Sequence, residues 1–167
     1  MGSIERRPIL ALLMVMGCQS PATPGEPLAQ LSGSAEQLMV GVSTNLTADG
    51  ARRGSIVADS AFVYQEARRI DFRRVRATLF DGDGQPTAVL TAQRAVYRGD
   101  EETLDAVGDV LIVSTAGDSL RSAQVVYDKR RMQFSSDSAF THRSPKTVAR
   151  GTGFTADLRL KGVTPKP

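Results

Sequence analysis

The chain has 167 residues, 41% of them hydrophobic, enough for one domain with a real core and too few for two. Its 21 basic and 18 acidic side chains leave a formal charge of +3, too even a balance for nucleic-acid binding. A single cysteine excludes an intramolecular disulfide, and a single histidine, His142, leaves a histidine metal site or a serine–histidine pair nothing to draw on.

The chain opens on a leader. Arg6 and Arg7 form a basic start, and residues 9–16 form an apolar run far shorter than the ~20 residues of a membrane-spanning helix. The run stops at Val15-Met16-Gly17-Cys18, which resembles the lipobox of bacterial lipoproteins: an aliphatic residue, a spacer, a small residue, then cysteine. By that resemblance residues 1–17 are a lipoprotein signal peptide and Cys18 is the lipid attachment site, exposed as the new N-terminus by cleavage. Without Glu5, Arg6 and Arg7, the mature chain keeps 19 basic and 17 acidic side chains. Gln19 follows the cysteine where an aspartate would favour inner-membrane retention, so anchoring to the inner or the outer membrane stays open. Residues 18–35 carry Pro21, Pro24, Gly25, Pro27 and Gly33 without periodicity and read as a flexible tether. Fully extended at about 3.1 Å per residue, that tether reaches at most ~50 Å.

From 36 to 161 an apolar pattern recurs four times, with apolar or small residues at relative positions 0, 2, 5 and 7. The copies are Ile56/Ala58/Ala61/Val63, Leu90/Ala92/Ala95/Tyr97, Leu120/Ser122/Val125/Tyr127 and Ala149/Gly151/Phe154/Ala156. A strand alternates faces with period 2, so one extra residue separates two alternating pairs, as a β-bulge that bends the strand would. Asp59 and Arg94 then fall in the bulges. A weaker pattern runs between the copies: Ile70, Phe72 then Val75, Ala77, Leu79; Leu104, Ala106 then Val110, Ile112; Met132, Phe134 then Ser138, Phe140. Helical offsets of three and four persist in no window. The reading is strands near 37–47, 52–64, 69–80, 86–98, 103–114, 119–128, 131–142 and 147–160, with 162–167 a flexible tail. Such a bent sheet has one concave apolar face; an ordinary packed β-sandwich is the alternative.

Between strands lie turn residues, at Asp81-Gly82-Asp83-Gly84, Arg98-Gly99-Asp100, Ala116-Gly117-Asp118 and Ser144-Pro145. The first lacks the further ligands and the flanking helices of a calcium loop, so it reads as a turn. His142 reads as a surface histidine, and Asp100-Glu101-Glu102 as a solvated acidic turn. Arg68-Arg69 and Lys129-Arg130-Arg131 occupy one turn position in two repeats. They suit solvated turns that discourage sheet aggregation, or a basic rim that meets phosphates at the mouth of an apolar groove. No phosphate loop, nucleophile elbow or metal-ligand spacing is present, so the sequence offers no enzyme chemistry, cofactor or metal.

Several marks then come in order: Gly41-Val42 opening a strand, Phe80-Asp81 with Gly84 closing one, Leu90-x-Ala92 with Ala95 and Tyr97, and Ala149-x-Gly151-x-Gly153-Phe154. With a leader in front, the stretch 39–160 resembles the periplasmic lipopolysaccharide-export family, in its LptC branch, whose fold is shared with LptA/OstA-like proteins. One departure is the lipobox, where well-known members carry an N-terminal membrane helix. The resemblance implies an open, twisted all-β jellyroll that is not an enzyme. It would receive lipopolysaccharide from an inner-membrane ABC transporter, shield its acyl chains, and pass it to an LptA-like jellyroll by strand addition at the first or last strand. The groove residues would be Ile56, Ala58, Ala61, Val63, Leu90, Ala92, Ala95, Tyr97, Leu120, Val125, Tyr127 and Phe154, with Arg68, Arg69, Lys129, Arg130 and Arg131 at the phosphate rim. A structural envelope lipoprotein that packs its core fully and binds no lipid is the competing reading.

Overall fold

The computed structural model describes residues 35–166. The leader and Cys18 therefore lie outside the described residues, as does most of the tether. Within the described residues nine antiparallel strands make one sheet in strict chain order: β1 (Gln37–Ala48), β2 (Ala51–Tyr64), β3 (Arg69–Phe80), β4 (Pro86–Arg98), β5 (Thr103–Ser114), β6 (Ser119–Asp128), β7 (Gln133–Arg143), β8 (Val148–Asp157) and β9 (Thr164–Pro165). Each connection between neighbours is short, so pairing is local. The sheet is open, because β1 does not pair with β8 or β9.

A line of irregular residues crosses the sheet and bends it. The backbone is left-handed at Gly41, Arg74, Gly108, Asp109 and Gly153. The ladder passes over Asp59 opposite Arg74 and changes register near residues 92–93, 108–109, 123–125 and 137–138. On either side of that line the same face points inward: Ile56, Ala58 then Ala61; Leu90, Ala92 then Ala95; Leu120, Ser122 then Val125, all buried. The extra residue therefore preserves the inner face through the bend, where an unbroken strand would have carried the last pair outside. Gly108 suits this bend because its φ of +86° is one that side-chain-bearing residues rarely adopt, and a Cβ there would lie 3.1 Å from Gln93 Cβ.

The bend divides the sheet into two halves that fold over one core. The first half ends at the turns 48–51, 80–86, 114–119 and 143–148; the second ends at 64–69, 98–103, 128–133 and after β8. Inner side chains of both halves belong to one hydrophobic cluster, from Val42 and Leu46 to Phe154 and Leu160. Contacts between turn regions at opposite strand ends hold the halves together, including Arg53 Nη1 to Met132 Sδ at 3.9 Å and Arg159 to Asp81 at 3.5 Å. In the second half, Arg68, Glu102 and Met132 occupy one place in three successive turns, each left-handed and one residue before the next strand. A type I turn closed by a left-handed residue is a standard longer hairpin connection.

The outer rows follow from the register. On the first half they are Ser43, Val57, Arg76, Thr91, Leu111, Arg121, Thr141, Arg150 and, beside them, Asn45, Ser55, Thr78, Val89, Val113, Ser119, Arg143, Val148. On the second half one row holds Leu38, Phe62, Asp71, Val96, Asp105, Val126, Ser135 and Thr155, and the next holds Tyr64, Arg69, Arg98, Thr103, Asp128, Gln133 and Asp157.

Several sequence expectations need correction. Strand β7 starts at Gln133, because residues 128–132 turn around Asp128, whose Oδ1 accepts from Arg131 N at 2.9 Å. Ser136, not Ser138, takes the inner position, and its hydroxyl accepts from Ser138 N at 3.0 Å. Strand β8 stops at Asp157, where the chain turns with Leu160 N on its carbonyl and Lys161 N on its carboxylate, both at 3.1 Å. The tail is not free throughout: Thr164 and Pro165 pair with Thr155 and Phe154 as β9. His142 is not a surface side chain. It shares the inner row with Leu120 and Ala149, half-buried, with Nε2 buried and without a partner among the described residues.

Candidate binding interior and its polar rim

The inner face of the first half carries the row Ile56, Ala77, Leu90, Ile112 and Leu120, none of it exposed. In the second half the corresponding row is Ile70, Tyr97, Leu104, Tyr127, Phe134 and Ala156. All twelve expected groove residues face this one interior. Ten are buried, while Val63 and Tyr97 are half-buried at the second half's margin. The fourth repeat copy enters only by its second pair: Phe154 and Ala156 are buried, Ala149 is exposed and Gly151 half-buried. Alanines recur on both layers, at 58, 61, 77, 88, 92, 95, 106 and 156, and their short side chains let the layers approach.

Equal contributors lie outside the four copies. Phe72, Leu79, Leu104, Val110, Ile112 and Phe134 are buried and belong to the weaker intervening pattern, where their signal was legible. Leu158 and Leu160 are buried beyond β8, and no periodicity announces them. Ring pairs add cohesion, with Tyr127–Phe134 centroids 5.6 Å apart and Phe140–Phe154 5.2 Å apart. The inner hydroxyls of Ser122 and Ser136 donate to the Ala139 and Gln124 carbonyls, whereas His142 Nε2 and the Tyr127 hydroxyl are buried without a hydrogen-bond partner among the described residues. Burial pushes the Tyr127 phenol up to about 12.

At the rim, the five expected phosphate contacts all have carboxylate neighbours. Arg68 meets Asp100 at 2.8 Å and Arg69 Nε donates to Asp71 at 2.6 Å. Arg130 bonds Glu102, and Arg131 lies 3.6 Å from Asp128. Lys129 is not a rim cation at all. Its side chain is 4% exposed; Nζ donates to the Thr47 carbonyl, to Tyr97 Oη at 3.0 Å and to Glu102 at 3.2 Å. Burial pulls the Lys129 ammonium down, but the bonds to Tyr97 and Glu102 outweigh it and its pKa is raised. Glu102 is held below the usual carboxylate value by Arg130 and then by Lys129. Thr47 is 82 positions from Lys129, so this ammonium ties the end of β1 to the second half's turns.

Asp81 Oδ1 accepts from Asp83 N at 3.1 Å and Gln85 N at 2.9 Å, and the Gln85 amide leads in lowering its pKa. Among the described residues no group of three or more His, Cys, Asp or Glu could hold a metal, and no helix is long and apolar enough to cross a membrane.

The two sheet edges differ. Among the described residues the first part of β1 has no strand outside it, and it exposes Leu38, Met39 and Val40, the last at 81%. The last long strand, expected as a site of strand addition, is partly covered: β9 pairs with 154–155, and Lys166 N donates to the Gly153 carbonyl at 3.1 Å. Lys166 also packs where a Cβ on left-handed Gly153 would come within 3.1 Å of it. Only the first part of β8, 148–152, stays open.

Residues 9–164 match the family described as lipopolysaccharide-assembly, LptC-related. The chain belongs to this LptC-related family. Its function therefore lies in lipopolysaccharide transport. Among solved structures the chain is similar to LptH, described as the LptA homologous periplasmic component of the conserved lipopolysaccharide transport device from Pseudomonas aeruginosa. That likeness has a TM-score of 0.54 at 14% identity, over 67% of this chain and 80% of that one. At this identity it carries the fold alone: an all-β, open jellyroll of antiparallel strands. No curated protein matches the chain by sequence.

Proposed function

We propose that this LptC-related chain is a non-enzymatic periplasmic carrier. It takes lipopolysaccharide from an inner-membrane ABC transporter, shields the acyl chains between its two layers, and hands the lipid to an LptA-like jellyroll. The observation that supports the reading is the interior: a predominantly apolar face crosses the sheet from Val42 and Leu46 to Phe154 and Leu160, and the first and last strands do not pair with each other. A seam without ladder hydrogen bonds lets the layers part, and each methylene sheltered there contributes about 0.8 kcal/mol. Ile56, Ala58, Ala61, Val63, Leu90, Ala92, Ala95, Tyr97, Leu120, Val125, Tyr127 and Phe154 would line the opened groove. Of the rim residues, Arg68, Arg69, Arg130 and Arg131 keep enough exposure to share a lipid phosphate with their carboxylates, while Lys129 acts as a clasp. Handover would use the open start of β1 or the edge of β8 after displacement of β9. Cys18 would anchor the body to the inner or outer membrane through its lipid.

A specific observation favours a second reading. The central groove residues have no exposure in the closed form, as in a structural envelope lipoprotein that binds nothing. One experiment separates the two. A photo-crosslinker at Leu90 or Leu120 should capture lipopolysaccharide in cells, while one at Asp59 or Arg94, beside the bend, should not. Capture at neither pair supports the packed lipoprotein; capture at the bend alone reverses the face assignment.

A further inference from the structure

The two outward rows of the first half contain no Asp or Glu in sixteen positions, yet they hold Arg76, Arg121, Arg143 and Arg150. All four are exposed. Among the described residues none of the four has an ion-pair or hydrogen-bond partner, although arginines elsewhere are commonly paired. Four acids beside the bend and the strand ends are paired with other groups: Asp59 with Arg74, Asp109 with Gln93, Asp137 with Lys166 and Asp81 with Arg159. Between the arginines stand aliphatic side chains, of which Val89, Leu111 and Val113 are neighbours. Val57 and Val148 are more than half exposed, and a shallow hollow of about 320 Å³ opens beside Arg76 between Leu111 and Val113.

We infer that this face is a docking surface for an anionic phospholipid bilayer. The arginines are spread from β3 to β8, five strand spacings or about 24 Å. No single phosphate can satisfy four guanidiniums over that distance, whereas a plane of anionic headgroups can. The face holds no Phe, Tyr or Trp, the side chains that anchor the dry centre of protein–protein interfaces. Its aliphatic groups are small, with Val57 and Val148 apart and Val89, Leu111 and Val113 in one shallow hollow beside Arg76, which suits shallow contact with headgroups. Docking by this face would lay the first half against the membrane and leave the balanced second half toward solvent. The inference stands apart from the carrier reading, because it needs no lipid between the layers.

The test uses residues 35–167, which hold the whole nine-strand sheet and its core, in flotation with phospholipid vesicles. Binding to phosphatidylcholine vesicles containing about 30% phosphatidylglycerol should exceed binding to pure phosphatidylcholine, with each arginine contributing about fivefold. It should fall steeply as salt rises. The quadruple variant R76Q/R121Q/R143Q/R150Q should return to the neutral-vesicle level, while R94Q/R98Q, on the other half, should bind within about twofold of the parent. If the quadruple variant misfolds, single substitutions and the parent's salt dependence still decide the matter. Equal binding to neutral and anionic vesicles overturns the assignment, as does an unchanged quadruple variant. Binding to lipopolysaccharide micelles without binding to phospholipid vesicles also overturns it, and moves the face to the lipid cargo.

Discussion

The first and second halves of the bent sheet have the same inside and opposite outsides. Inward, both present aliphatic, aromatic and alanine side chains to one core. Outward, the second half sets Asp71, Asp105, Asp128 and Asp157 among Arg69, Arg73, Arg94 and Arg98, and closes pairs such as Arg98–Asp105. The first half sets arginine among valine, serine and threonine, with no acid in its two rows. A shared interior follows from burial, which selects the inner positions of both halves alike. Stability makes no such demand on the outer rows, since exposed ion pairs contribute little. A one-sided charge there therefore reflects use more than folding.

The largest expected effect ignores the difference between the halves. Leu120→Asp in the first half and Phe134→Asp in the second each place an unpaired carboxylate at a site without exposure. Each should cost on the order of 5 kcal/mol, comparable to the whole stability of a domain. Circular dichroism should find both variants largely unfolded at room temperature; a folded variant in one half would show that its layer opens readily to water.

Next comes the clasp that joins the halves. Lys129→Met should lower stability by about 2 kcal/mol, because a buried ammonium with three acceptors is lost. The chevron should show faster unfolding, and a Tm within one degree of the parent would remove Lys129 from any role in holding the halves. The same cluster sets a pH dependence. Glu102 has a lowered pKa, so its contribution is complete above the ordinary 4.5 and is lost as pH falls below that value. Glu102→Gln should flatten the acid limb of a stability–pH curve.

Tyr127 gives an effect of opposite sign. Its buried hydroxyl has no partner among the described residues, so Tyr127→Phe should raise stability at neutral pH by about 1 kcal/mol. A raised phenol favours the folded state fully below the ordinary 10.0, and that contribution fades as pH climbs toward about 12. The variant should lack this alkaline loss in urea titrations at pH 10 to 12; destabilisation at neutral pH would mean that the hydroxyl has a partner after all.

The smallest effects lie outside, where the halves differ. A double-mutant cycle on Arg69 and Asp71 should return no more than about 1 kcal/mol, and Arg121→Ala should stay within about 0.5 kcal/mol of the parent. A large loss from Arg121→Ala would make that face structural and remove the ground for a docking role.

Strand alternation is a steric property of neighbouring residues, so the two-residue period and its single interruption were readable in Ile56-to-Val63 and its three counterparts. Most strand boundaries and the inner assignment of ten buried groove residues follow from that local rule. The places where it failed were turns whose hydrogen bonds override alternation, as at Asp128 and Asp157.

The charges obey no such local rule. Lys129 and Arg130 are adjacent in one basic run, yet one is buried on Thr47 and the other is exposed on Glu102. His142 looked like a surface residue, and the tail looked free of the sheet. Thus the sequence by itself determined an all-β body of bent strands with one apolar face, because apolar spacing acts between near neighbours. Only the tertiary structure decided that the layers close over that face, that Lys129 fastens them, that β9 covers part of the last strand, and that four arginines share a face without acids. Each of those depends on which distant residues the fold and register bring side by side.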